Sequence, residues 1–358
     1  MKARAARRAP PAGVSAALLA AALFGVSTPL AKALLTSVPP QLLAGLLYLG
    51  SGLGLWLYRA LRNRRPAGAK EAPLTRRDAP WLAGAIAFGG GLGPALLMVG
   101  LARTPASSAS LLLNLEGVFT ALIAWFVFRE NFDGRIALGM LAIIAGGVVV
   151  SWEGPLEWGG LAGPFFVTGA TLCWAVDNNL TQKVSAGDPE QIAMLKGLAA
   201  GSANVAIAAA LGVSWPTVFR TLAGLVLGFI GYGVSLALFV RALRNLGTAR
   251  TGAYFSSAPF LGAAVSIVLF HERPTVLVGG GAALMAVGVW LHITERHEHE
   301  HHHQGMKHEH LHVHDEHHRH SHHPEDPVGE PHSHRHWHEP LVHSHPHYPD
   351  IHHRHGHD

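Results

Sequence analysis

Between Val14 and Thr294 one apolar run of roughly membrane-spanning length follows another, mostly separated by short polar breaks. Hydrocarbon offers no water to satisfy backbone N–H and C=O groups, so each run must close its hydrogen bonds internally as a helix. Ten spans are predicted, at about 14–36, 41–61, 80–101, 106–128, 134–152, 161–183, 190–211, 217–242, 249–270 and 274–294. The expected fold is an all-α polytopic membrane protein. A charged fraction of 14% and a mean hydropathy of +0.23 understate this character, because many charges lie in the two tails and one basic loop. Glycines recur inside the spans, as Gly89-Gly90-Gly91, Gly279-Gly280-Gly281 and Gly224-x-x-x-Gly228, a pattern that suits close helix packing. The lone cysteine, Cys173, excludes an internal disulfide and any Cys-based zinc or redox centre. The basic segment 1–13 precedes an apolar run, Val14–Val38, that is long for a cleaved leader and is followed at once by further spans. It is expected to be retained.

One stretch recurs. Shifting the chain by 142 positions (272 − 130 = 142) places Glu130 on Glu272, Phe128 on Phe270, Ala121 on Ala263, Gly139 on Gly281 and Gly146 on Gly288. Both copies read as an apolar run, aromatic-x-Glu, a short polar break and a Gly-spaced apolar run. The chain therefore divides into a basic N-terminus (1–13), a first five-helix repeat (14–152), a second (153–295) and a tail (296–358). An odd number of spans per repeat inverts the second against the first, the geometry of alternating access. The densest basic loop, Arg59–Arg77, is expected in the cytoplasm together with both termini. Glu130 then falls at the inner face and Glu272 at the outer.

Phe128-Arg129-Glu130 followed by Gly139, Gly146 and Gly147 resembles the EamA domain of the drug/metabolite transporter superfamily. Phe270-His271-Glu272-Arg273-Pro274 with Gly281 and Gly288 resembles the matching C-terminal unit. The likeness covers about residues 14–295. It implies a ten-helix fold and transport of small metabolites, often export. The first half of each repeat is less typical, with Phe24 and Trp174 aligned at an offset of 150 and little else. These motifs place the fold rather than the substrate. No GxSxG, P-loop, dinucleotide fingerprint or HExxH is present, so neither an enzyme nor a nucleotide-driven pump is expected. No nucleic-acid partner is expected either.

Ionisable groups inside spans are costly and need a reason. Glu116, flanked by Asn114 and Thr120, is the leading candidate for proton coupling or cation binding, with a structural pairing to Lys196 or Lys32 as its rival. Asp177 opens the run Asp177-Asn178-Asn179, placed deep enough to line a water-filled cavity. Ser27, Thr28 and Pro29 hold roughly the equivalent place in the first span. Lys32 either joins that cavity or snorkels to the interface. Trp174, with Trp125, Tyr232, Tyr254 and Phe255, could wall the cavity or serve only as packing and interface anchors. Glu130 and Glu272 read as helix-end residues, a carboxylate before a helix start favouring its dipole.

After Glu295 the chemistry changes. Of 27 histidines, 25 lie between His297 and His357, spread through a polar stretch that cannot bury a core and is expected to be disordered without a ligand. They form closely spaced sets: His297, His299 and His301; His308, His310, His312 and His314; His332, His334, His336 and His338; His343, His345 and His347; His352, His353, His355 and His357. Spaced imidazoles on a flexible chain suit Zn, Ni, Co or Cu. A tail without a role, or one that titrates near neutrality, is the plainer alternative. Transport itself needs no cofactor.

These features predict a secondary transporter of the bacterial inner membrane that exports a small polar metabolite or drug-like compound, by exchange with protons. The cytoplasmic tail would bind divalent transition metal. Two alternatives stay open: efflux of Ni, Co or Zn itself, and a membrane-anchored metal sensor or buffer. A homodimer is also left open.

Overall fold

The computed structural model describes residues 12–62, 74–127, 134–151, 158–293, 298–303, 306–312, 332–338 and 341–346. Its membrane part is helical: α1 (Ala12–Leu34), α2 (Pro40–Arg62), α3 (Ala79–Ala85), a π-helix π1 (Ile86–Leu92), α4 (Gly93–Arg103), α5 (Ala106–Leu112), α6 (Leu115–Phe126) and α7 (Gly134–Ser151). The second half holds α8 (Trp158–Val184), α9 (Pro189–Ala210), α10 (Val218–Gly228), a second π-helix π2 (Phe229–Val234), α11 (Ser235–Phe255), α12 (Ala258–Phe270) and α13 (Val276–Ile293). Among the described residues six helical stretches are long and apolar enough to cross a membrane, and shorter apolar helices occupy Ala137–Val150, Ala258–Phe270 and Val276–Leu291. The 27-residue α8 is long enough as well, but its polar run from Asp177 lowers its hydropathy. Large apolar side chains such as Leu141, Phe165, Phe219 and Val268 are exposed, as a lipid-facing surface requires.

The eighth and ninth spans follow one another through α10, π2 and α11, and the chain reverses within α11 (Ser235–Phe255). The rings of Phe239 and Phe255 lie 4.8 Å apart. Along a straight helix the intervening residues (255 − 239 = 16) would separate them by about 24 Å. Tyr254 likewise packs against the cluster of Ala16, Ala17, Ala242 and Leu246. Ten helical spans therefore stand among the described residues, in two repeats.

The repeat is visible in the irregularities of the helices. A shift of 143 (229 − 86 = 143) carries the start of π1 onto that of π2. The same shift carries the Leu113-Asn114 break between α5 and α6 onto the Ser256-Ser257 break between α11 and α12. Packing obeys the same exchange. α1 lies on α11 and α12 while α8 lies on α4 and α6, and the self-related pairs are α2 with α9 and α7 with α13. In the last pair a Cβ at Gly281 would press on Gly146 O, and one at Gly288 on Gly139 O. The repeat partners Gly139/Gly281 and Gly146/Gly288 thus meet crosswise, as a two-fold axis between antiparallel helices demands.

Glycine sets how closely the helices approach. A Cβ at Gly50 would fall on Leu225 O and one at Gly228 on Leu47 O, so α2 and α10 touch backbone to backbone. Gly228→Ala is therefore expected to cost about 3 kcal/mol, at the upper end for overpacking, because a carbonyl cannot swing aside as a side chain can. A melting curve of the detergent-solubilised protein would show it. The triplet Gly279-Gly280-Gly281 is less uniform than its sequence suggests. Only Gly281 packs, while a Cβ at Gly279 or Gly280 would meet nothing.

Beyond α13 the backbone carries four short strands: β1 (Glu298–His303), β2 (Met306–His312), β3 (His332–His338) and β4 (Leu341–Pro346). They pair antiparallel as β1 with β4 and β2 with β3. Composition alone leaves this tail without structure, and the two-residue period of His-x-His is what suits it to a strand.

Candidate transport site

Two layers of side chains meet where α1, α2, α8 and the two π-helices converge. The first is aromatic. Phe24 of α1 lies edge-on to Trp174 of α8 and to Tyr232 of π2, with ring centroids 5.6 Å apart in both cases, and 5.5 Å from Phe255. Tyr48 of α2 meets Tyr232 at 5.4 Å. Edge-to-face pairs at these separations are favourable beyond the area they bury. Phe24 and Trp174, aligned by the repeat, are here in contact.

The second layer is polar and sits on π1 and α8. Widening the helix at π1 leaves Gly89 O free to accept from both Tyr48 Oη at 2.6 Å and Trp174 Nε1 at 2.9 Å. Beside it, Lys196 of α9 donates to Asp177 at 2.5 and 2.7 Å and to Thr181 Oγ1 at 3.2 Å. Lys196 is 1% exposed and Asp177 5%, so this is a fully buried ion pair. Asn178 donates to Glu116 Oε1 at 2.6 Å, and at 3.4 Å reaches Thr120 Oγ1. Asn179 turns away and donates to Thr120 O and Ala175 O.

Between the layers lies a cavity of about 60 Å³ whose walls include Phe24, Tyr48, Glu116, Trp174, Asp177, Asn178, Tyr232, Ser235, Phe239 and Phe255. At roughly 10–15 Å³ for each water-sized sphere, it has room for a few waters or one compact head group.

Glu116, Asp177, Asn178 and Trp174 thus come together at this cavity, with Lys196 behind Asp177. Neither pairing of Glu116 with a lysine forms: Lys196 is held by Asp177, and Lys32 lies elsewhere. Lys32 donates to Leu101 O at 2.5 Å and Thr104 O at 2.7 Å, closing the C-terminal end of α4. Asn114 is buried at the α5–α6 break, where it donates to Leu111 O and faces Met285 Sδ, off the cavity. Of the five aromatics singled out as walls, Trp174, Tyr232 and Phe255 line it. Trp125 instead stacks on Phe126, with centroids 4.1 Å apart, and Tyr254 packs against the cluster that Ala16 and Ala17 form with Ala242 and Leu246.

Glu272 does sit at a helix end, but not the one its sequence position suggests. Its two oxygens accept from the backbone N–H groups of Ala106 and Ser107, at 3.0 and 3.1 Å, and so cap α5 across the bundle. Glu130 and the tail positions His297, His314, His347, His352, His353, His355 and His357 lie outside the described residues. At the opposite end of the bundle from Lys32 and Glu272, Arg59 pairs with Asp188, and Arg62 with Glu190 at 2.6 Å. These arginines end α2 and the carboxylates begin α9, where acidic groups also favour the helix dipole.

A family model described as the EamA-like transporter family matches residues 11–152 and again 161–294. The chain belongs to that family. As an EamA-like chain it is a multi-pass membrane transporter of small molecules, with the lipid bilayer as its medium. Over 292 residues it is 27% identical to an uncharacterized transporter of Methanothermobacter thermautotrophicus, covering 78% of this chain and 85% of that protein. Over 297 residues it is 28% identical to a probable amino-acid metabolite efflux pump of Salmonella typhimurium, covering 77% of this chain and 93% of that one. A solved crystal structure at 20% identity superposes with a TM-score of 0.58, over 77% of this chain and 96% of the other. That likeness is one of fold.

Sequence reasoning missed Tyr48, Phe239 and Ser235. Each sits in a predominantly apolar run and carries no charge to single it out. The available signal was positional, since Tyr48 lies among the small residues of α2 that let π1 and π2 approach.

Proposed function

We propose that this EamA-like protein is a secondary exporter of a small polar metabolite or drug-like compound in the bacterial inner membrane, driven by exchange with protons at Glu116. One observation carries the reading: Glu116 lies at the wall of a cavity bounded by both repeats, hydrogen-bonded by Asn178. A carboxylate so placed can be reached from either side as one repeat rocks against the other. The name of the Salmonella relative supports export. In the same reading both termini face the cytoplasm, and the tail binds Zn, Ni, Co or Cu. Supporting that last point, the antiparallel register sets His308 opposite His336, His310 opposite His334 and His312 opposite His332. Opposed positions in such a ladder are roughly 5 Å apart from backbone to backbone, and imidazole is a ligand that suits all four ions.

The test compares cells expressing nothing, the full chain, Glu116→Gln, or the chain stopped after Glu295. Solutes in the medium and cellular Zn, Ni, Co and Cu are measured together. The full chain is expected to release at least one polar solute that Glu116→Gln does not. The tail is expected to alter retained metal without altering that release. Equal release by the full chain and Glu116→Gln would end the coupling role of Glu116. Lowered cell metal that needs both the tail and Glu116 would make metal the cargo.

A further inference from the structure

The walls of the cavity differ in what they have left to offer. Apart from the Tyr232 hydroxyl, its hydrogen-bond donors are already engaged: Tyr48 and Trp174 with Gly89 O, Asn178 with Glu116, and Ser235 with Ala20 O at 2.8 Å. Lys196, behind Asp177, is engaged by Asp177 and Thr181. Acceptor capacity remains. Glu116 receives one short bond on Oε1, and no cation lies within ion-pairing distance of it among the described residues. The Tyr232 hydroxyl is buried without a hydrogen-bond partner.

Charge points the same way. Lys196 neutralises Asp177, leaving Glu116 to set the sign, inside a box of aromatic rings from Phe24, Trp174, Tyr232 and Phe255. Ring faces attract cations, more strongly where water is scarce. An anionic cargo would meet that carboxylate and those faces with no donor free except Tyr232. A cargo bearing N–H donors and a positive charge would satisfy both.

We propose that the cavity recognises its cargo by a compact cationic head group, a protonated amine, held by the Glu116 carboxylate and the Tyr232 hydroxyl within the aromatic box. This rests on the export reading above and names its substrate class. The volume limits what enters to the head group, so the remainder of the cargo lies toward the open side of the cavity.

Isobutylamine, isobutanol and isobutyrate have nearly the same shape and differ in charge at neutral pH, where a primary amine is protonated as lysine is. Calorimetric titration of each into the purified full chain at pH 7 decides the matter on the unaltered protein. The amine is expected to bind at least about tenfold more tightly than the alcohol, and the carboxylate most weakly. Glu116→Gln should abolish the preference of amine over alcohol, and Tyr232→Phe should weaken the amine several-fold while sparing the alcohol. Equal binding of amine and alcohol, tighter binding of the carboxylate, or no amine binding up to about 10 mM overturns the proposal. Titration reads binding and not flux. A charge-blind protein that still exports a solute sinks the amine and spares the exporter, whereas an amine-selective protein that exports nothing does the reverse.

Discussion

Lys196→Met is expected to destabilise the protein by about 3–5 kcal/mol, enough to abolish most of the folded yield. Lys196 is the largest fully buried side chain in the described structure, and its Nζ donates to Asp177 and Thr181. Methionine keeps the length of the side chain and removes the charge, so little of the loss comes from a void. What remains is a carboxylate that is 5% exposed with one hydroxyl to serve it. Thr181 already donates to Asp177 Oδ1 at 2.7 Å, and it cannot supply a second proton.

The double variant Asp177→Leu, Lys196→Met separates fold from function. Replacing both members of a buried pair by apolar groups of similar volume is often neutral for stability. Most of the melting temperature should return, while export should not, since Asp177 contributes to the cavity wall. Lys196→Met melting with the unaltered protein would show that the pair carries no structural weight. A double variant that exports normally would remove Asp177 from the site.

What the sequence made legible follows from which constraints are local. Span length and the glycine spacing after Glu130 and Glu272 are local, and both the ten-span count and the inverted repeat follow from them. Asp177-Asn178 and Glu116 were legible because hydrocarbon makes any polar group conspicuous. Partner choice was not. Lys196 and Lys32 looked like equal rivals for Glu116, and only the packing of α9 on π1 and of α1 on α4 sends one to Asp177 and the other to backbone carbonyls. Glu272 was recognisable as a capping residue from its place near the start of α13, yet the helix it caps is α5, 166 residues back. The π-helices left only the faint mark of Gly-rich segments, since a single wide turn changes no period that spans the whole helix.

Gly89→Ala and Gly91→Ala are expected to differ sharply, though both place the same methyl on the same π-helix. By intrinsic propensity each substitution favours the helix, by as much as about 1 kcal/mol. At Gly91 nothing opposes that gain, because the nearest atom to an added Cβ is Ile86 O at 3.6 Å. Gly91→Ala should therefore melt at or above the temperature of the unaltered protein and export normally. At Gly89 the new methyl would fall on the Asp177 carboxylate, which Lys196 and Thr181 hold in place. Either π1 backs away, parting Gly89 O from Tyr48 and Trp174, or Asp177 leaves Lys196. Both routes disturb the cavity wall, and the first alone loses two buried hydrogen bonds at about 1 kcal/mol or more each. Export should fall at least tenfold, with a lower melting temperature. Equal loss in both variants would place the sensitivity in the π-helix itself. Loss at Gly89 alone would locate it where π1 and the buried pair meet.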